Sequence, residues 1–319
     1  MGEKGSSCKN KKIVFMGTPE ISTYALNALL DKGYDVVGIV SQPDKPTGRN
    51  KKIVFSEVKK LALEKNITLF QPLKIKEIKE ELIKLKPFAY VTCAFGQFLP
   101  DEILEIPQFG CINIHASLLP KYRGGAPIHW SIINGDDETG VCLMKSVRKM
   151  DAGDVYCYRK IKIDNSDTTS VLFKKMNDLV YDIVYLDLEK VFLGDFKPKK
   201  QDESKVSFAF NITKENEKLN FNNSSINVRN LIRGLSDKPG AYCFFEDNKK
   251  IKLFNCELTN NKSNNLPGTI VDISKQGIEI CTKDFNILVK EIQFEGKNRV
   301  FISQIINGNK ILKKNMVLK

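Results

Sequence analysis

Four short apolar runs constrain this chain more than any other feature: residues 12–17 (KIVFMG), 35–41 (DVVGIVS), 88–94 (FAYVTCA) and 111–115 (CINIH). The first three lack the apolar–polar alternation of a half-solvated strand, so each predicts a strand covered on both faces, and the fourth, in which Asn113 and His115 alternate with Ile112 and Ile114, is read as a further strand of the same sheet. Between them, residues 20–32, 56–65 and 75–85 carry apolar side chains at helical spacing. Pro19, just after the first run, suits the first turn of a helix. Further on, 127–134 and 168–193 read as helices, and 139–147 and 154–163 as strands. Strands that alternate with helices imply an α/β fold, a doubly wound, mostly parallel sheet with helices on both sides. Ligands bind such sheets beyond the carboxyl ends of their strands, which points to the segments after 88–94 and 111–115.

The pattern changes near Gly194. Residues 195–207 are polar and charged with one proline, the composition of a linker. Beyond them, 222–235 suits one helix. Short apolar runs at 241–245, 251–258, 268–273, 277–281 and 285–294 then alternate with Asn, Gly and Lys turns. That rhythm predicts a small β-barrel. Barrels of the oligonucleotide-binding, or OB-like, kind hold nucleic acid with a strand face and loops. The expected division is a flexible tail at 1–11, an α/β domain at 12–194, a linker at 195–207 and an OB-like domain at 208–319.

Composition excludes several classes. No apolar run approaches the roughly 18 residues of a membrane helix. The lysine-rich start, residues 1–12, lacks the apolar core of a signal peptide, so a cytoplasmic protein is expected. The eight cysteines include no Cys-x-x-Cys pair, and Cys93, Cys111 and Cys142 lie in apolar, strand-like contexts, so reduced buried thiols are expected. The two histidines, His115 and His129, are too few and too isolated for a zinc site, and no metal is expected. Gly17-Thr18-Pro19-Glu20 is neither a dinucleotide fingerprint nor a phosphate-binding loop. The net charge of +12, most of it beyond Lys205, suits a polyanionic partner. A general bias towards Lys and Asn accounts for it equally well.

The chemistry-bearing residues concentrate in 111–127, CINIHASLLPKYRGGAP. Strand residues two apart share a face, so Asn113 and His115 can address one substrate atom together. Asn is a neutral hydrogen-bond donor, and His exchanges protons near neutral pH. A carboxylate such as Asp151, in Met150-Asp151-Ala152-Gly153, orients an imidazole and favours its cation. Together they are equipment for acyl transfer through an oxyanion. Asn113 and His115 alone would more often be hydrogen-bonded strand residues without a catalytic role.

Asn113-x-His115, Ser117-Leu118-Leu119-Pro120, the run Lys121-Tyr122-Arg123-Gly124-Gly125-Ala126-Pro127 and Asp151-Ala152-Gly153-Asp154 together resemble the folate-dependent formyltransferases. Three further features are similar to the methionyl-tRNA members of that family. They are Gly17-Thr18-Pro19-Glu20, the basic loop at 42–52 (QPDKPTGRNKK), and Ile232-Arg233-Gly234-Leu235 with Pro239-Gly240-Ala241. The resemblance spans nearly the whole chain and is densest over 13–154. It departs from the pattern at Phe95, where those members often have Tyr, and at Lys238, where a Trp is usual.

The resemblance implies Asn113, His115 and Asp151 as catalytic residues. It implies a folate pocket lined by Phe95, Gln97, Phe98 and Leu99 on one side and by Ser117, Leu118, Leu119 and Pro120 on the other. It assigns Arg49, Lys51 and Lys52 to tRNA contacts. The donor would be 10-formyltetrahydrofolate, the acceptor methionyl initiator tRNA, and the protein a monomer acting in translation initiation. Lys121 and Arg123 are read as steering anions, and His129 and Trp130 as packing. Two alternatives stay open: a formyltransferase for an amino sugar or a purine precursor, and a tRNA- or folate-binding protein without catalysis. The sugar enzymes usually lack the basic loop, and the purine enzyme lacks the C-terminal domain.

Overall fold

The computed structural model describes residues 10–47, 52–245, 248–308 and 311–319. They form two compact units that are not contiguous in sequence. The first is drawn from Met1–Pro127, Thr139–Ile161 and Phe173–Phe210, the second from Ile128–Glu138, Lys162–Leu172 and Asn211–Lys319.

The first unit is built on β1 (Lys12–Gly17), β2 (Asp35–Val40), β3 (Lys45–Thr47), β4 (Lys52–Val54), β5 (Leu69–Phe70), β6 (Ala89–Cys93), β7 (Cys111–His115), β8 (Glu138–Lys145) and β9 (Val155–Lys162). Seven of these form one sheet in the order β5-β2-β1-β6-β7-β8-β9. The pairs β1/β2, β1/β6, β2/β5 and β6/β7 are parallel, and β8 runs antiparallel to β7. The mostly parallel sheet read from the sequence is therefore present. The unpatterned first run has its reason here: Ile13 and Phe15 face one side, Val14 and Met16 the other, and all four are fully buried. Val14 and Met16 pack with Leu82 of α3 (Lys79–Lys84; α1 is Glu20–Asp31, α2 Glu57–Glu64) and Ile103 of α4 (Asp101–Leu104). Farther along, α5 spans Pro127–Ile133 and α6 Thr169–Leu193. Phe192 of α6 meets Tyr34, Phe88 and Phe109 edge-on.

Two local readings change. Residues 75–85 are not one helix. A 3-10 turn at Ile75–Ile78 precedes α3, and the Ile75 N–H is donated to Gln97 Oε1 at 2.9 Å. The basic stretch at 42–52 is not wholly loop, because β3 and β4 pair antiparallel as a separate ribbon.

The second unit carries α7 (Ser225–Gly234), then β10 (Tyr242–Phe245), β11 (Lys249–Leu258), β12 (Ile270–Ser274), β13 (Gly277–Ile280), β14 (Ile287–Phe294) and β15 (Val300–Phe301), followed by the single-turn α8 (Ile302–Ile305). The sheet order is β10-β11-β14-β13-β12, with β15 on β14. Its pairs are antiparallel. Ser224 caps α7 by accepting the Asn227 N–H, and Val228 and Ile232 join Leu253, Ile270, Ile280 and Val289 in one core.

The last residues close this sheet. Lys319 exchanges backbone hydrogen bonds with Phe244 of β10 at 2.7 and 2.8 Å. On the other side the Leu318 N–H is donated to Gly268 O at 2.9 Å and the Ile270 N–H to Met316 O at 2.8 Å. Residues 316–319 thus lie between the two edges that β10 and β12 would otherwise expose, and a closed barrel has no such edge. Gly268 makes the approach possible: its φ is +91°, and a Cβ there would stand 2.3 Å from Leu318 O. Among the described residues no helix is long and apolar enough to cross a membrane.

Gly268→Ala should therefore destabilise the barrel. The left-handed conformation alone costs about 1–3 kcal/mol in a non-glycine residue, before the steric clash. We expect thermal unfolding at least roughly 5 °C lower in differential scanning calorimetry. Gly308→Ala, where a Cβ meets nothing within 4 Å, is the control and should melt like the parent.

Candidate active site

In the sheet order β1 lies between β2 and β6, so the chain leaves β1 to one side and later returns to the other. That reversal opens a crevice at the carboxyl ends of β1 and β6. Its rim is wired by side chains. Ser22 Oγ donates to Cys93 O at 2.6 Å, and Gln42 Nε2 to Phe95 O at 3.1 Å. Thr18 Oγ1 accepts the Gln42 N–H at 3.2 Å and donates to Phe95 O at 3.3 Å.

Beside this crevice β7 delivers Asn113 and His115. Asn113 pairs in register with Thr92 of β6 and Met144 of β8. Thr92 Oγ1 donates to Asn113 Oδ1 at 2.8 Å, which fixes the amide and leaves its NH2 as the donor for a ligand. The His115 side chain is 7% exposed. Its Nε2 lies 2.9 Å from Tyr122 O. A carbonyl only accepts, so Nε2 carries the hydrogen and Nδ1 is the nitrogen that exchanges protons. Nδ1 faces Asp151 Oδ1 at 3.7 Å, too long for a direct hydrogen bond. The other oxygen, Oδ2, accepts the Gly124 N–H at 2.8 Å. The three residues singled out from the sequence thus share one end of the sheet, and two of them face each other.

The loop carrying Asp151 is bent tightly. Asp151 itself has φ +48°, a conformation Asp tolerates better than most residues. Two residues on, a Cβ at Gly153 would fall 1.8 Å from Lys145 O, so the Asp-Ala-Gly motif needs its glycine.

What holds this loop was not legible in the sequence. Gln201 Nε2 donates to Asp151 O at 2.7 Å and to Gly153 O at 2.8 Å. Its Oε1 accepts from Arg123 Nε and Nη2 at 3.0 and 2.9 Å. Arg123, expected to steer anions, is instead 1% exposed, its guanidinium also bound to Glu203 at 2.7 Å. A buried guanidinium must be fully paired, and Gln201 and Glu203 supply its partners. In turn Arg123, and then Lys149, hold the Glu203 carboxyl below its usual range. The same segment reaches Tyr122, whose N–H is donated to Ser207 Oγ at 3.0 Å. Residues 195–207, a linker by composition, therefore brace both His115's carbonyl partner and the Asp151 loop. Gln201 sits in a polar stretch with no periodicity, and no sequence signal marked it.

The expected folate-lining residues divide. Phe95 and Leu99 are buried in the core with Val14 and Met16, so their apolar faces are taken up by packing. Leu119 is buried with Cys142, Met144 and Val155. Ser117 is fully buried and its Oγ donates to Lys121 O at 2.6 Å. Gln97 braces the neighbouring loop, donating to Pro72 O at 3.2 Å. Phe98 is 59% exposed, and Leu118 and Pro120 are half-buried. Arg49 and Lys51 lie outside the described residues; Lys52 opens β4, its backbone paired with Thr47. Among the described residues no cluster of His, Cys, Asp and Glu could hold a metal ion. Seven described cysteines are free thiols. Burial pushes Cys93 up to about 12 and Cys111 to about 11, which keeps both neutral.

Residues 11–187 match the family described as formyl transferase, and residues 211–310 match formyl transferase, C-terminal domain. Over 319 residues, all of both chains, the protein is 69% identical to the methionyl-tRNA formyltransferase of Malacoplasma penetrans (strain HF-2). It is 46% identical over 297 residues to that of Mycoplasma capricolum subsp. capricolum, covering 92% of this chain and 93% of the relative. The fold is shared with an N-formyltransferase from Helicobacter canadensis, solved in complex with folinic acid and dTDP-3-aminofucose. That likeness has a TM-score of 0.67 at 20% identity, over 88% of this chain and 98% of that one. The match to both family models and such identity along the whole chain place the protein in the formyltransferase family, among the methionyl-tRNA formyltransferases.

Proposed function

We infer that the protein transfers the formyl group of 10-formyltetrahydrofolate to the α-amino group of methionine carried by initiator tRNA, in the cytoplasm, at translation initiation. The observation that carries the chemistry is the pairing of a donor fixed by Thr92 with an imidazole whose Nδ1 faces Asp151. The donor set fits a formylated folate, because Asn113 offers its NH2 group and Phe98 an exposed ring near the crevice. Phe98, Leu118 and Pro120 would line the folate site. Phe95, Leu99 and Leu119 would shape it from behind.

Bound folate supplies the formyl carbon and a nitrogen that takes up a proton as the group leaves. Asn113 donates to the formyl oxygen as negative charge develops there. His115, protonated on Nδ1, adds a second donor, and its Nε2 stays committed to Tyr122 O. Asp151 receives the proton released by the attacking amine and passes it, directly or through water, to the folate nitrogen as that nitrogen's bond to the formyl carbon breaks. Both side chains are largely buried, at 7% and 15% exposure, so these interactions act with little solvent screening. The first unit is the catalytic domain and the barrel a tRNA-binding domain. Arg49, Lys51 and Lys52 contribute phosphate or base contacts from the basic stretch.

Formyl transfer to methionyl initiator tRNA, followed by acid-gel electrophoresis of the product, tests this reading. Asn113→Ala, His115→Ala and Asp151→Ala should each lose about 100-fold to 1,000-fold in turnover while melting normally. Near-parental turnover would remove that residue from the mechanism. Transfer to an amino-sugar nucleotide but not to the tRNA would replace the acceptor. Gln201→Leu should lower kcat by up to about 100-fold with little change in either KM, since it displaces Asp151 without touching substrate. A loss confined to KM would contradict that role.

A further inference from the structure

Phe208 and Phe210 are 51% and 63% exposed, yet their rings stack in parallel, with centroids 5.4 Å apart and planes within 1°. Their backbone explains the arrangement. Phe208 bridges Arg123, the Ala209 N–H is donated to Arg123 O at 2.8 Å, and Ala209 O accepts the Ala126 N–H at 2.9 Å. Ala209 is fully buried. Extended residues two apart share a face, so burying Ala209 turns both phenyl rings outward together.

We propose that the Phe208–Phe210 pair is a stacking platform for the unpaired bases at the acceptor end of the aminoacyl-tRNA, a role that rests on the acceptor reading above. The argument is one of place and chemistry. The segment bearing the rings pairs with Arg123, and the next residue, Gly124, fixes Asp151 through its N–H at 2.8 Å. An amine that reaches Asp151 and His115 at the end of a single strand brings the adjoining bases to this surface. Flat, parallel rings match the π-faces of bases, whatever the base. Lys149 and Lys205 are held only weakly, in solvent-exposed pairs with Glu203 and Asp202 of the same segment.

The test uses full-length protein and methionyl initiator tRNA with 2-aminopurine in place of an unpaired acceptor-end base. Titrating the parent protein should quench the fluorescence by stacking. The Phe208→Ser, Phe210→Ser double variant should lose the quench and raise KM for the tRNA by roughly 5-fold to 100-fold, with KM for 10-formyltetrahydrofolate and the melting temperature unchanged. Phe208→Tyr should keep both. Absence of quenching by the parent, or an unchanged quench and tRNA KM in the double variant, overturns the platform. A rise confined to the folate KM also overturns it, by assigning the rings to the donor. Quenching reports binding without turnover, so a parent that quenches but does not transfer formyl would sink the acceptor reading alone.

Discussion

Burying the Arg123 guanidinium commits much of the active site to one arrangement. At 1% exposure its charge must be matched by hydrogen-bonding partners, and those partners, Gln201 and Glu203, lie some 80 residues further on. A guanidinium withdrawn from water has to be hydrogen-bonded, so residues 201–203 cannot drift away without leaving that charge unpaired. With them come the other bonds of the same strip: Gln201 to the Asp151 and Gly153 carbonyls, and Ser207 Oγ to the Tyr122 N–H. A single buried cation therefore fixes, at second hand, both groups that face the His115 imidazole.

That arrangement decides which nitrogen of His115 works. Tyr122 has φ +65°, a costly conformation for a bulky residue, and its carbonyl takes the hydrogen of Nε2. The strain is held by the pairing around it, since Tyr122 is flanked by the Arg123 backbone bonds and by Ser207. The result is a preset tautomer with Nδ1 turned to Asp151, so the imidazole need not rearrange when charge develops. Asn113 is preset in the same way by Thr92, a neighbour in the β6–β7 register.

The sequence made the sheet, the barrel strands and the three chemical residues legible because each leaves a local signature. Buried strands such as β1 write unbroken apolar runs, and Asn113, His115 and Asp151 sit in compact motifs. What escaped depends on contacts between distant residues. Gln201 and Arg123 meet only in the folded chain, and both look like ordinary surface polar residues in their own stretches. β15 and α8 are too short to show a period. Phe95 and Leu99 looked like ligand-facing residues because core packing and pocket lining draw on the same side chains. Only the position of each side chain relative to Val14 and Met16 separates the two.

The same strand also argues against a covalent route. Cys111 opens β7, two residues before Asn113, and Cys142 of β8 is the register partner of His115, so two thiols lie on the strands around Asn113 and His115. Both are fully buried, and burial pushes both thiols up, Cys111 to about 11. A neutral thiol is a poor nucleophile, and neither opens to solvent. The nearest hydroxyl on the following loop, Ser117, is buried and donates to Lys121 O rather than to His115. Among the described residues no activated nucleophile is hydrogen-bonded to the imidazole, the pairing that covalent acyl transfer requires. The proposed route, direct attack by the acceptor amine, needs no such nucleophile.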